Sequence, residues 1–325
     1  MGKFEDLTEK RKRWVQSNEE NGFQDGIEHL LTQLYPDNAH FIYELLQNAE
    51  DAHATDVTFD LRRDELIVSH DGTDFSIEDI ASITSISNST KRDEGTAIGK
   101  FGVGFKSVFS YTSSPCIKSG EYSFKITDLV VPEKLTMSDV VGKTVFKFPF
   151  NNPMKSKDAA FTEILTGLKS LPLETLLFLK NIRQITCLYN GEEIFFQREE
   201  NGKKVVLKSL DGSNNTSLVE YLRFSSADNR IETKKGVESV TVSLAYKLEQ
   251  KNGAENISST KIGDKYKIVP RESDKNVFIF FPAEKETSHL KFVINAPFAT
   301  TVARDSIVAD ADNSKLLWII SENHR

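Results

Sequence analysis

From residue 4 to residue 34 the apolar side chains Leu7, Trp14, Ile27, Leu30, Leu31 and Leu34 recur among polar ones at helical spacing, with the turn-prone pair Asn21-Gly22 between them. Tyr35-Pro36-Asp37-Asn38 stops that pattern and supplies a cap for the next helix. This helix is Phe41 to Ala52. At about 100° per residue, Phe41, Ile42, Leu45, Leu46, Ala49 and Ala52 fall in one arc, and Glu44, Gln47, Asn48 and Asp51 in the opposing one. Alternation then takes over: Val57 to Leu61 and Leu66 to Ser69, separated by charged Arg62 to Glu65, predict a β-hairpin. Ser76-Ile77-Glu78-Asp79 has capping-box spacing and opens a short helix on which Ile77, Ile80 and Ile83 recur.

Asn88 to Thr96 is polar without periodicity and reads as a mobile stretch. Gly99 to Gly104 runs into Phe105-Lys106-Ser107-Val108-Phe109, which predicts a helix, and strands are expected at about 121–127 and 143–149. A helix-rich piece from Asp158 to Lys180 leads to a strand at Ile182 to Leu188. Past Glu199 come strand-like segments, Ser217 to Phe224, Val237 to Leu248, Val277 to Phe281 and Leu290 to Ile294, then a helix over Ser314 to Ile320. These form a second domain, and the chain reads as a fragment of something longer.

The 325 residues hold 41 Lys and Arg against 48 Asp and Glu, a net charge of -7, which argues against binding nucleic acid through an overall field. The dense basic run Lys10 to Arg13 lies among acids on a helix and reads as a solvated face. No apolar run approaches the roughly 20 residues of a membrane-spanning helix, so no membrane protein is expected. The N-terminus lacks the apolar core of a signal peptide, and Cys116 and Cys187 are too few for a disulfide framework or a zinc site. A cytoplasmic protein is expected. The six histidines show no metal spacing; His40, His53 and His70 read as structural.

Three segments carry candidate chemistry. On the Phe41 helix, Glu44 and Asn48 stand at i and i+4 and point the same way, although such a face by itself often only meets water. Asp71-Gly72 closes an apolar strand, and by itself is a common turn pair. Ile98-Gly99-Lys-Phe-Gly102-Val103-Gly104-Phe105-Lys106-Ser107 sends three glycines into a helix start, where backbone N–H groups can approach an anion; phosphate is the natural ligand. Its spacing is neither the Walker A loop nor the dinucleotide fingerprint.

Taken together, in this order and spacing, E-L-x-x-N-A-x-D-A, D-G and I-G-x-F-G-V-G-F resemble the GHKL ATPases, in particular the ninety-kilodalton heat-shock chaperone branch and the sacsin-like ATPase domains. Tyr43 to Ala52 matches a fuller phrase of those relatives, and Leu176 to Ile182 resembles one of their helices. The resemblance implies an α+β fold: a two-layer α/β sandwich of the Bergerat ATP-binding kind over residues 1–198, with a lid at about 84–104, then a smaller, partial α/β middle or transducer-like domain over 199–325, truncated at its end.

It also implies Mg²⁺-dependent ATP binding and hydrolysis, with lid closure linked to formation of a homodimer. Glu44 matches the general base and Asn48 the Mg²⁺ ligand, while Asp51 resembles the nucleotide-facing aspartate. Asp71, with Gly72, matches the adenine reader, whose carboxylate accepts from the exocyclic amine and would meet an acceptor on guanine. The later glycine of the family's D-x-G-x-G is missing from Asp71-Gly72-Thr73-Asp74-Phe75. Gly99, Gly102, Val103, Gly104, Phe105 and Lys106 match the phosphate-covering loop, and Lys91, in Ser89-Thr90-Lys91, a phrase near the phosphates. Thr144 holds the place of a threonine that contacts the adenine-reading aspartate or its bridging water. Arg304, in the segment beginning Phe292-Val-Ile-Asn, matches an arginine that reaches the γ-phosphate. Two other readings stay open: a nucleotide-gated chaperone or interaction module with little turnover, and a DNA-handling ATPase of the MutL or chromatin type.

Overall fold

The structure is a computed structural model that describes residues 2–22, 40–85, 104–138, 142–213, 215–233, 236–253, 261–273, 275–283, 285–300, 306–308 and 311–324. Fifteen strands and their helices give these residues an α+β fold with mixed strand pairing. The chain forms two compact units, residues 1–171 with 180–195, and residues 172–179 with 196–325. Among the described residues no helix is long and apolar enough to cross a membrane.

The first unit opens with helix α1 (Lys3–Glu20), followed by α2 (His40–Asp51), the hairpin β1 (Asp56–Leu61) and β2 (Glu65–His70), and α3 (Ile77–Ile83). A 3-10 turn at Gly104–Ser110 takes the place of the α-helix expected after the glycines. Then come β3 (Cys116–Ser119), β4 (Tyr122–Thr127), β5 (Val131–Lys134), β6 (Thr144–Pro149), α4 (Lys157–Lys169) and β7 (Gln184–Tyr189), with strands in the order β7-β1-β2-β6-β3-β4-β5. The β1–β7 pair is parallel, while β1–β2, β2–β6, β3–β6, β3–β4 and β4–β5 are antiparallel.

Leu66 pairs with Phe148, Val68 with Phe146 and His70 with Thr144. Because side chains alternate with period 2, these six share one face, which is buried. Phe105 from the 3-10 turn stacks on it, 6.1 Å from Phe146 and 6.2 Å from Phe148 by ring centroid, and Phe4 of α1 lies 5.8 Å from Phe124. Burying a ring such as Phe105 contributes about 2 kcal/mol. The predicted capping box is present: the Ser76 hydroxyl accepts from the Asp79 N–H, and Asp79 Oδ2 accepts from the Ser76 N–H.

In the helix-rich piece expected from Asp158 to Lys180, α4 stops at Lys169, and residues 173–176 make only a 3-10 turn before an irregular stretch to 183, so the segment likened to a helix over Leu176 to Ile182 is not one. Pro172 explains the break, since it donates no helical hydrogen bond and disfavours helical backbone at the residue before it. Strand β8 (Glu192–Asn201) begins in the first unit and ends in the second.

The second unit adds β9 (Lys204–Leu210), a long hairpin of β10 (Thr216–Thr233) and β11 (Gly236–Gln250), a short helix α5 (Ile262–Lys265), β12 (Tyr266–Ile268), β13 (Val277–Ile279), β14 (Phe281–Pro282), β15 (Val293–Asn295) and α6 (Ala311–His324). Strand β10 runs well past the predicted end at Phe224, carried over a bulge between Ser226 and Asn229, whereas β11 keeps close to its predicted segment. The expected strand Val277 to Phe281 is split at Phe280, which takes φ 66°. Val242, Leu244, Val277, Ile294, Leu316 and Ile320 belong to this unit's core. Residues 172–179 are held within it: Arg198 donates to the Leu179 carbonyl, Arg223 to that of Leu177 at 2.7 Å, and Glu174 accepts from Tyr221 Oη at 2.8 Å.

Candidate functional site

Helix α2 is fixed by its apolar arc: Phe41, Ile42, Leu45, Leu46 and Ala49 are each at most 3% exposed. The opposing arc is not simply solvated, because Gln47 is buried and Glu44, Asn48 and Asp51 are half-buried. The helix ends where Ala54 N–H reaches back to the Ala49 carbonyl (2.9 Å), with His53 at φ 59°, the left-handed conformation that closes helices.

Two devices lock that end. Glu50, also buried, accepts from the backbone N–H groups of Lys180 (2.7 Å), Asn181 (2.9 Å) and Ile182 (2.9 Å) and from Asn181 Nδ2 (3.1 Å). The Asp71-Gly72 turn docks against Ala52: Thr73 N–H donates to the Ala52 carbonyl at 2.7 Å, and a Cβ on Gly72 would lie 2.6 Å from that oxygen. Glycine is required there by close approach rather than by φ.

The glycine loop meets α2 at Gly104. A Cβ on Gly104 would fall within 3.0 Å of Glu44 Oε1 and closer still to Oε2 and Cδ, so the Glu44 carboxylate occupies the space that only a glycine leaves. Ser107 Oγ closes the turn by donating to the Gly104 carbonyl at 2.6 Å. The structure thus brings together Glu44 and Gly104, with Asn48 one turn along the same helix, and places Phe105 as a buried wedge on the sheet. Asn48 offers a single neutral amide oxygen, which suits Mg²⁺, an ion that takes one or two protein oxygens and keeps most of its waters. Among the described residues no group of three or more His, Cys, Asp or Glu could hold a metal ion by itself.

Three of the expected side chains have partners within the protein. Lys106 is buried and donates to the carbonyls of Ile83 (2.8 Å) and Leu129 (2.5 Å). Its ammonium therefore closes the end of α3 rather than being offered to a phosphate. Asp71 Oδ1 accepts from the N–H groups of Thr55 (2.7 Å) and Asp56 (2.9 Å), and Oδ2 from the Thr55 hydroxyl (2.6 Å). Partial burial pushes its carboxyl up, but these three donors outweigh it and hold it below its usual value. Thr144 pairs in register with His70, and its hydroxyl lies 2.6 Å from Ser119 Oγ.

Lys91, Gly99, Gly102, Val103 and Arg304 lie outside the described residues, as does the stretch Asn88 to Thr96. Sequence reasoning missed Glu50, which left no local sign, its partners being some 130 positions along the chain; His70, read as structural, is buried on the inner face of β2.

Residues 64–138 match the Sacsin domain family. Protein NO VEIN of Arabidopsis thaliana is 26% identical over 323 residues, covering 90% of this chain and 11% of its own length. Sacsin of Homo sapiens is 36% identical over 107 residues, 27% of this chain and 2% of that protein. The chain is homologous to both and spans only a small part of either. A crystal structure of the N-terminal domain of a DNA repair protein aligns with 90% of this chain and 94% of its own at 13% identity and a TM-score of 0.47. The sacsin-like resemblance read from the motifs is thus supported, most directly over residues 64–138.

Proposed function

We propose that this chain is a GHKL-type module that binds and hydrolyses ATP with Mg²⁺. The observation that carries the reading is the seating of the Glu44 carboxylate against Gly104, which puts a candidate general base at the mouth of a glycine loop suited to phosphate. In this reading Glu44 orients a water and takes its proton. Asn48 would hold Mg²⁺, whose charge stabilises the phosphates. The backbone of the glycine loop, Gly99 to Gly104, covers the phosphates, with Lys91 nearby, while Asp51 faces the nucleotide, and Phe105 anchors the loop. Arg304 supplies positive charge toward the γ-phosphate. Residues 1–198 form the two-layer ATP-binding domain with its lid at about 84–104, and 199–325 the middle domain, with ATP-linked dimerisation as the switch.

Support comes from the match of residues 64–138 to the Sacsin domain and from the three motifs together. The test is Mg²⁺-ATP turnover beside ATP binding for the wild type and Glu44→Ala, at two protein concentrations. The reading expects Glu44→Ala to keep ATP binding and to lose turnover by about a hundredfold or more. A specific rate that rises with concentration would support the dimer. Binding without any Glu44-dependent turnover would leave a nucleotide-gated interaction module, and no binding would end the reading.

A further inference from the structure

The 3-10 turn that begins at Gly104 is built from buried side chains: Phe105, Lys106, Ser107 and Val108 are each at most 5% exposed. Lys106 stands out among them, because a lysine enters a core only where its ammonium is satisfied. Its Nζ donates to two carbonyls, each 23 positions away along the chain and on opposite sides: Ile83 at the end of α3 (2.8 Å) and Leu129 between β4 and β5 (2.5 Å). The Phe109 ring centroid lies 5.6 Å from the same nitrogen. The charge that acts on it is a second cation, Arg11 of α1, whose guanidinium donates to the Ala81 carbonyl at 2.8 Å. Desolvation and a like charge both oppose a cation here, and a methionine of similar length would fill the space without either cost, so stability alone does not account for a lysine. Hydrogen bonds add what packing does not, a fixed direction and distance between the segments they join.

Lys106 stands two residues past the point where the turn meets α2. There the place of a Cβ on Gly104 is filled by the Glu44 carboxylate. Ser107 Oγ draws the turn back onto the Gly104 carbonyl at 2.6 Å, and the Phe105 ring rests 6.1 Å from that of Phe146, so Gly104 moves only with the residues behind it. Phe105 and Ser107 set the depth and shape of the turn, while Lys106 holds it by hydrogen bonds against α3 and the β4–β5 connection. A slide of the turn presses on Glu44 or takes away its support, and displacing a catalytic group by about 1 Å can cost about a hundredfold in rate.

We infer that Lys106 is a positioning residue for hydrolysis: its two hydrogen bonds fix the turn at Gly104 and, through it, the Glu44 carboxylate, while its own atoms touch neither the nucleotide nor the attacking water. The inference rests on the ATP reading above, in which Glu44 is the general base. It separates two properties of the site. Nucleotide affinity does not depend on Lys106, and the rate of the chemical step does.

The experiment compares wild type, Lys106→Met, Glu44→Ala and the double variant. Steady-state Mg²⁺-ATP turnover is measured beside ATP affinity, the latter by displacement of a fluorescent ATP analogue, at a temperature where thermal melts show every variant folded. Lys106→Met keeps length and apolar bulk but drops both donors; it should lower kcat by about tenfold to a hundredfold while ATP affinity stays within about threefold. In the Glu44→Ala background the same substitution should change the residual rate by less than about twofold, because the group it positions is gone. Should Lys106→Met not fold, Lys106→Gln, whose amide keeps two N–H donors on a stem one bond shorter, carries the same comparison with a smaller loss of kcat. Parallel losses of kcat and affinity, a full further loss in the Glu44→Ala background, or wild-type kcat in folded Lys106 variants would overturn the inference and leave the ATP reading standing. If folded wild type binds no ATP, or turns it over no faster than Glu44→Ala, the ATP reading falls and this inference with it.

Discussion

Glu44 and Gly104 are interlocked: the carboxylate of one fills the place where a side chain on the other would begin. Gly104→Ala must therefore displace Glu44 or the turn that follows. We expect a stability loss of about 1–3 kcal/mol in urea melts and loss of turnover with little change in ATP affinity. Glu44→Ala in the same chain makes room for the added methyl, so the double variant should recover most of the stability but none of the activity. Additive losses in the double-mutant cycle would show that the two residues do not press on one another.

Glu50 lies on the same helix, and its function is anchorage. Glu50→Ala strands three backbone N–H groups, of Lys180, Asn181 and Ile182, inside the first unit. A loss of about 3 kcal/mol is expected in denaturant unfolding. Glu50→Gln, which keeps one acceptor oxygen but turns an amide N–H₂ toward the remaining donors, should fall between the two. An unchanged midpoint for Glu50→Ala would mean that these bonds are replaced by water at no cost.

Lys106 makes stability depend on pH. Burial, with the positive charge of Arg11 second, brings its ammonium down to about 7 from the ordinary 10.5. Between those values the unfolded chain holds a proton here that the folded chain has released, so this side chain makes stability rise with pH across that window. Below it both states are protonated and the dependence vanishes. Lys106→Met should remove the rise, which urea melts at about pH 6 and about pH 9 can read. A Met variant with the wild-type slope would assign the dependence to another group.

Both cysteines should resist thiol reagents while the chain is folded. Burial pushes the Cys187 thiol up to about 12, and Cys116, half-buried, is raised as well. Cys187 stands in β7 opposite Phe59 of β1, so its labelling should report opening of the first unit's sheet. At mildly alkaline pH its labelling rate should track the unfolded fraction through a urea series. Rapid labelling in buffer would mean that β7 opens locally.

Much of the site was legible because it is local. The arc of Phe41, Ile42, Leu45 and Leu46 fixes how α2 lies, and with it the positions of Glu44 and Asn48. What escaped the sequence depends on partners far along the chain or on a one-residue choice of face. The pairing of Thr144 with His70 rather than Asp71 is of the second kind, since a slip of one position exchanges the buried and outward sides of a strand. The bonds of Lys106 to Ile83 and Leu129 are of the first. The reading of Asp158 to Lys180 as helix-rich overlooked a sign that was present, Pro172. The length of β10 was hidden by the polar run that begins at Ser225, whose hydroxyl lies 2.9 Å from that of Ser243 in β11.

The passage of residues 172–179 into the second unit, with return at Lys180, means that the first unit is not one uninterrupted stretch of chain. A gene fragment cut at Leu171 would lack β7, the parallel neighbour of β1, and would leave β1 as a raw edge able to recruit other chains. It would also leave Glu50 a buried charge with none of its N–H donors. A piece of this chain meant to fold as the first unit must therefore include the crossover and run through residue 195.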